Sequence, residues 1–210
     1  MHMRSILRIM KYSFTRFPMH QIFAAPSHIA IFRVLNQLNQ GISGRELARR
    51  AGINDRTCRL ALQRMENLNL VEYLGSGKTI LFRLNRKNYF AKNMFFYLFE
   101  KENEYFDTVI YQLKDYLLNK CVWSCIYGSV VEKTDTSSSD LDVLIIVKNL
   151  QSLDTFLENI SVLVSAVFVE FGLSLSPIVL LTEQWMNDNQ FKNLKKDVFR
   201  NHIHLTGMRL

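Results

Sequence analysis

Apolar positions along this chain follow two rhythms, one helical and one of short uninterrupted runs. Ile29, Ile31, Phe32, Leu35 and Leu38 recur at helical spacing between Pro26 and Gln40, and Gly41 closes the run. Ser43-Gly44-Arg45-Glu46 matches a capping box and opens a short helix that stops near Gly52. Asn54 or Asp55 then caps a third helix to about Asn67, with Cys58, Ala61, Leu62 and Met65 on its core face. Two strands follow, 70–74 and 79–84, around a Gly75-Ser76-Gly77-Lys78 tip. Residues 88–120 are rich in aromatics and predict two helices broken near Glu102-Asn103. Beyond them, the runs 122–126 and 143–147 predict buried strands. A helix over 154–171, a strand over 173–181, a short helix from Thr182-Glu183-Gln184 and a last strand with His202 and His204 complete an α+β chain.

Composition narrows the class. With 48% hydrophobic and 12% aromatic residues in 210, packed cores are expected and wholesale disorder is excluded. Cys58, Cys121 and Cys125 are too few and too odd in number for a disulfide framework, which points to a cytoplasmic protein with buried thiols; Cys121 and Cys125 could share a strand face. Arg4, Arg8, Lys11 and Arg16 interrupt the first apolar residues, so no signal peptide is expected. The longest unbroken apolar stretch, near 162–169, falls short of the ~20 residues of a membrane span, and no membrane partner is expected. His202 and His204 are too few for a tetrahedral metal site and are expected to be structural.

The net charge of +7 is unevenly distributed. Residues 1–88 hold 15 Lys/Arg against 4 Asp/Glu, a balance of +11, and residues 89–210 hold 11 against 15, a balance of −4. A basic half is expected where one domain meets a polyanion. The two helices around the Gly52 turn make a helix-turn-helix arrangement. The solvent face of the third helix presents Arg56, Thr57, Arg59, Gln63 and Arg64, donors suited to phosphates and base edges, and Lys78 sits on the hairpin tip. The stretch 26–87 resembles bacterial winged-helix transcriptional regulators in its Arg45-Glu46-Leu47-Ala48 run, its Leu68-Asn69-Leu70-Val71 helix exit and its Phe82-Arg83-Leu84-Asn85 strand end. The resemblance implies double-stranded DNA as partner, with Arg56, Thr57, Arg59 and Gln63 in the groove and Lys78 on the backbone. A homodimer is expected, because one recognition helix reads only a few base pairs.

The second half carries Gly128-Ser129 after one apolar run and Asp140-Leu141-Asp142 before the next. Alternate strand residues share a face at roughly 6.6 Å spacing. Two carboxylates on one face, opposite a Gly-Ser turn, suit Mg²⁺ and a triphosphate. The pattern Gly128-Ser129, a loop, then Ser139-Asp140-Leu141-Asp142 resembles the minimal bacterial members of the DNA polymerase beta nucleotidyltransferase superfamily. The resemblance implies that Gly128, Ser129 and Ser139 hold a nucleoside triphosphate and that Asp140 and Asp142 bind Mg²⁺ and are catalytic. This chain departs from that family in having Glu132 and Lys133 where Arg-Gly is usual. It also lacks an acid on the strand containing Pro177, with Glu170 just upstream of it.

Together these readings predict a basic segment over 1–25, a winged helix over 26–87, a helical linker over 88–102 and a small nucleotidyltransferase-like α/β domain with a mixed sheet over 103–210. The function expected is a DNA-binding transcriptional regulator whose second domain binds or senses a nucleotide with Mg²⁺. The alternative is an active nucleotidyltransferase moving a nucleoside monophosphate onto a protein or small-molecule hydroxyl. On that alternative the resemblance implies an acceptor protein or a toxin–antitoxin partner.

Overall fold

The computed structural model describes residues 15–16, 18–75 and 80–208. It divides into two compact units, Met1–Asn103 and Glu104–Leu210.

In the first unit, α1 (Met19–Ile22) and α2 (Pro26–Asn36) precede β1 (Ile42–Ser43), α3 (Gly44–Arg50), α4 (Asp55–Asn67), β2 (Val71–Leu74) and β3 (Leu81–Leu84). The strands form an antiparallel sheet in the order β1-β3-β2. Cys58, Ala61, Leu62 and Met65 of α4 are buried against Ile31, Phe32 and Leu35 of α2 and Leu47 and Ala48 of α3. The core also takes Ile22 and, from a π-helical stretch over Ala91–Phe95, the side chains of Ala91 and Phe95. The packed unit therefore draws on both the basic segment and the expected linker.

Helix α2 stops at Asn36, four residues before the end its apolar rhythm predicts. The reason lies fifty residues downstream, where the Arg86 guanidinium donates to the carbonyls of Asn36 and Leu38 at 3.0 and 3.1 Å. Such donors satisfy the orphan carbonyls of a helix end. A similar device ties the exit of α4 to the end of β3. Asn69 adopts a left-handed φ of 53°, and its carbonyl accepts from Asn85 Nδ2 at 2.9 Å and from Asn88 Nδ2 at 3.2 Å. Asn85 is buried, and its Oδ1 accepts from the Lys87 N–H. Asn85→Ala strands these groups away from water, so we expect a loss of about 1–3 kcal/mol in the stability of this unit. Thermal unfolding measures it, and an unchanged midpoint removes the latch from the account.

Helix α5 (Phe96–Leu117) corrects the expected break at Glu102-Asn103. No Gly or Pro interrupts the stretch, the good helix formers Glu100, Lys101, Glu102 and Glu104 flank Asn103, and Glu102 accepts two hydrogen bonds from Arg33 of α2 at 2.9 and 2.5 Å. The irregularity falls instead at the π turn before Phe96.

The second unit is built on β4 (Trp123–Tyr127), α6 (Ser129–Glu132), β5 (Leu141–Val147), α7 (Leu150–Phe171), β6 (Leu175–Leu181), α8 (Thr182–Asn187), α9 (Lys192–Arg200) and β7 (Ile203–Gly207). Its sheet is mixed, in the order β6-β5-β4-β7, with β5 and β6 parallel and the other pairs antiparallel. Odd residues of β5 pack with Val109, Leu113 and Leu117 of α5 and with Phe156, Leu163 and Val167 of α7. Even residues pack on the opposite side with Trp185 of α8 and Val198 of α9. A strand covered on both faces reads as a continuous apolar run, which is why 143–147 carries no polar residue.

Trp123 lies at the centre of the second face, 5.9 Å from Trp185 between ring centroids. Its indole donates to His204 Nδ1 at 3.3 Å, and His202 stands edge-on to it while donating from Nδ1 to the Val198 carbonyl at 2.8 Å. Both histidines have packing roles here. Cys121 packs against the α5 side and Cys125 on the Trp123 side, so they do not share a face. Helix α7 is long and apolar enough, by length and composition, to cross a membrane, with a mean hydropathy of 1.5. Phe156, Leu163 and Val167 on one of its faces are buried in the core of this unit.

Candidate nucleic-acid interface and acid pair

Helix α4 begins where the Asn54 side chain accepts from the Thr57 N–H at 2.8 Å. With the apolar stripe buried, Arg56, Arg59, Gln63 and Arg64 are exposed and Thr57 is half-buried at the flank. Helix α3 starts as expected with the Ser43 hydroxyl accepting from Glu46 N–H at 3.3 Å, but the Glu46 carboxylate does not reach back. It is held by Arg49 at 2.8 and 2.6 Å and by Arg50 at 2.7 Å. These hydrogen bonds lower its pKa to about 2. Arg49 and Arg50 are thus already engaged. Among the described residues, none of Arg45, Arg56, Arg59 and Arg64 has a carboxylate partner.

Arg45 and Arg59 line one cleft of about 270 Å³ with Gly44, Asp55 and Phe82. Arg45 belongs with the candidate DNA contacts, although its helix position in the Arg45-Glu46-Leu47-Ala48 run did not single it out. The β2–β3 hairpin is braced by Arg83 donating to Glu72 at 2.6 Å. Lys78 at its tip lies outside the described residues.

In the second unit, Gly128 has φ +80° and stands opposite Asp142 through the Tyr127–Asp142 strand pair. A Cβ at Gly128 would collide with the Asp142 carboxylate. That position therefore demands glycine twice over, for its backbone and for its missing side chain. Ser129 opens the single turn α6, which no side chain caps. Asp142 is half-buried on the Trp123 side of β5, and Asp140, two residues earlier, is exposed at the strand edge. Burial, and then the Asp140 charge, push the Asp142 carboxyl above the ordinary aspartate range. Tyr127 is pushed up to about 12 by burial and then by Asp142.

Other expected members are placed differently. The Ser139 hydroxyl accepts from the Thr136 N–H at 2.9 Å, closing the loop before Asp140. Glu132 is paired with Arg200 of α9, a partner 68 residues away. In the β5–β6 register Asp142 stands opposite Ser176, and Glu170 is exposed on α7, so no third carboxylate comes from either. Among the described residues, no group of three or more His, Cys, Asp or Glu could hold a metal ion.

Asp140 also lines a cleft of about 510 Å³ with Tyr105, Phe106, Ser139, Phe168 and Leu173. That is within the size range of sites for small organic ligands. A larger cavity of about 680 Å³ lies around Tyr116, Lys120 and the first turns of α7. It has no carboxylate in its lining, whereas the smaller cleft takes Asp140 but not Asp142, which lies on the other side of β5.

Residues 26–72 match the family described as winged helix-turn-helix DNA-binding, and this part of the chain is a DNA-binding domain of that class. No curated protein and no solved structure matches the chain.

Proposed function

We propose that this protein is a transcriptional regulator that binds double-stranded DNA through α4 and the β2–β3 hairpin and carries a nucleotide site on its second unit. The DNA half of the reading rests on the winged helix-turn-helix match, with arginines along the exposed side of α4 that have no carboxylate partner among the described residues.

The nucleotide half rests chiefly on one observation: Gly128 gives up its side chain to the Asp142 carboxylate, with Asp140 beside it. The mutual repulsion of these two acids is what a divalent cation relieves. Mg²⁺ keeps several waters and is commonly held by one or two carboxylates together with substrate phosphates. Asp140 and Asp142 fit one such ion. They do not fit a two-ion site, which needs more acidic ligands than these elements supply. The aromatic and hydroxyl lining around Tyr105, Phe106 and Ser139 suits the nucleoside end. A sensing role follows more readily from this set than nucleotidyl transfer, since the Ser139 hydroxyl is engaged and, among the described residues, no third carboxylate joins the pair.

Calorimetry of the full chain with Mg²⁺ and a nonhydrolysable nucleoside triphosphate tests the site. Binding is expected, and the Asp140→Asn, Asp142→Asn double variant should abolish it while leaving DNA affinity intact. Unchanged binding in that variant would refute the site. Label transferred from α-labelled ATP, and lost in Asp140→Asn, would instead establish the enzyme.

The raised Asp142 pKa adds a pH signature. Because the folded value lies above the unfolded one, the stability this group contributes is present below the unfolded pKa and is lost as pH rises through the raised value. Mg²⁺ opposes that loss. Nucleotide affinity should therefore fall on acidification at a higher pH than an isolated aspartate would give, and Asp140→Asn should move the fall to lower pH.

A further inference from the structure

Helix α4 holds five apolar residues, and four of them, Cys58, Ala61, Leu62 and Met65, are at most 4% exposed. Leu60 is 50% exposed. A single exposed leucine is ordinary on a protein surface, so its position carries the argument rather than its exposure. At 100° per residue, Leu60 projects almost opposite the buried stripe. It lies four residues after Arg56, three before Gln63 and four before Arg64, all exposed. Residues three and four apart are neighbours on a helix surface. Leu60 thus sits in the middle of the strip that the DNA-binding reading turns toward the duplex. Arg59 lies to one side of it, in the cleft with Arg45.

We propose that Leu60 is a specificity-determining residue that packs on the C5-methyl group of a thymine in the major groove. Arginine and glutamine find donors and acceptors on guanine and adenine edges, whereas a leucine has no polar partner on any base. The thymine methyl is the apolar feature that the major-groove edge presents. With Arg56 and Gln63 on either side, the strip then reads a methyl between two hydrogen-bonding positions. Unlike those residues, Leu60 contributes nothing to phosphate binding, so its effect is confined to sequence preference.

This inference rests on the DNA-binding reading, and the experiment separates the two. The full chain is used to select duplexes from a random pool, and each thymine of the selected site is then replaced singly by deoxyuridine, which removes only the methyl. At one position the unmodified protein should lose about three- to fivefold in affinity, the worth of one buried methyl. Leu60→Ala should be indifferent to that replacement while binding unselected duplex as tightly as the unmodified protein. The proposal is overturned if every replacement is neutral, if the loss persists in Leu60→Ala, or if Leu60→Ala weakens unselected duplex equally. It is also overturned if duplex is bound without any preferred sequence. Absence of salt-dependent binding to any duplex sinks the DNA-binding reading itself.

Discussion

Gly128→Ala should unfold the second unit at lower temperature and eliminate Mg²⁺-dependent nucleotide binding together. The new methyl meets the Asp142 carboxylate, which must turn aside. At φ +80° the backbone is one that residues with a side chain rarely adopt, and the Cβ lands on the Asp142 carboxylate. Holding a non-glycine residue in such a conformation costs about 1–3 kcal/mol. For a unit of this size each kcal/mol lowers the midpoint by roughly 4–8 °C. The Asp142 backbone is held by antiparallel pairing with β4 and seven parallel pairs with β6, so the yielding falls on the carboxylate, which is turned away from its place beside Gly128. Circular dichroism reports the melt and calorimetry the ligand. Retention of both, within error, would show that the close approach of Gly128 to Asp142 does not matter. Asp142→Ala provides the complementary result: it removes a carboxylate whose ionised form burial and Asp140 disfavour, so stability should hold or rise while nucleotide binding is lost.

The largest effect on the other unit is expected from removing Arg56 and Arg59 together. Neither has a carboxylate partner among the described residues, so neither is needed to balance a charge within the fold. Their charges are available for phosphates, and each phosphate contact contributes about 0.9 to the slope of log affinity against log salt. The Arg56→Ala, Arg59→Ala variant should lose at least about tenfold in affinity at ~0.1 M salt and flatten the slope by up to roughly 1.8. If one of the pair instead reads a guanine, the slope changes by half as much and sequence preference relaxes. Arg49→Ala is the informative control, since its guanidinium is already committed to Glu46. It should weaken binding far less. Equal losses from both variants would mean that overall positive charge, and not the face of α4, is what DNA meets.

The core-facing side of α4 was legible in its residues because Cys58, Ala61, Leu62 and Met65 obey a single local rule, the helical repeat. Strands β4, β5 and β6 were legible as short apolar runs bounded by turn residues, whereas the two-residue β1 carries no such run. What escaped depends on partners distant in sequence. Nothing near Asn36 announces that Arg86 will end its helix. Nothing near Glu132 announces Arg200, and nothing in Thr136–Ser139 says that the Ser139 hydroxyl will fold back on its own loop. Polar residues at Glu102-Asn103 suggest a boundary, but without Gly or Pro the helix runs through them. Leu60 carries no pattern of its own in a charged helix face until the buried set is known.

The placement of the two indoles has a practical consequence. Trp123 and Trp185 are the chain's full complement of tryptophan, both fully buried, and both belong to the unit that begins at Glu104. Intrinsic emission excited at the red edge is therefore blind to the winged helix. A fluorescence transition and an ellipticity transition that fail to coincide would resolve the two halves without cutting the chain.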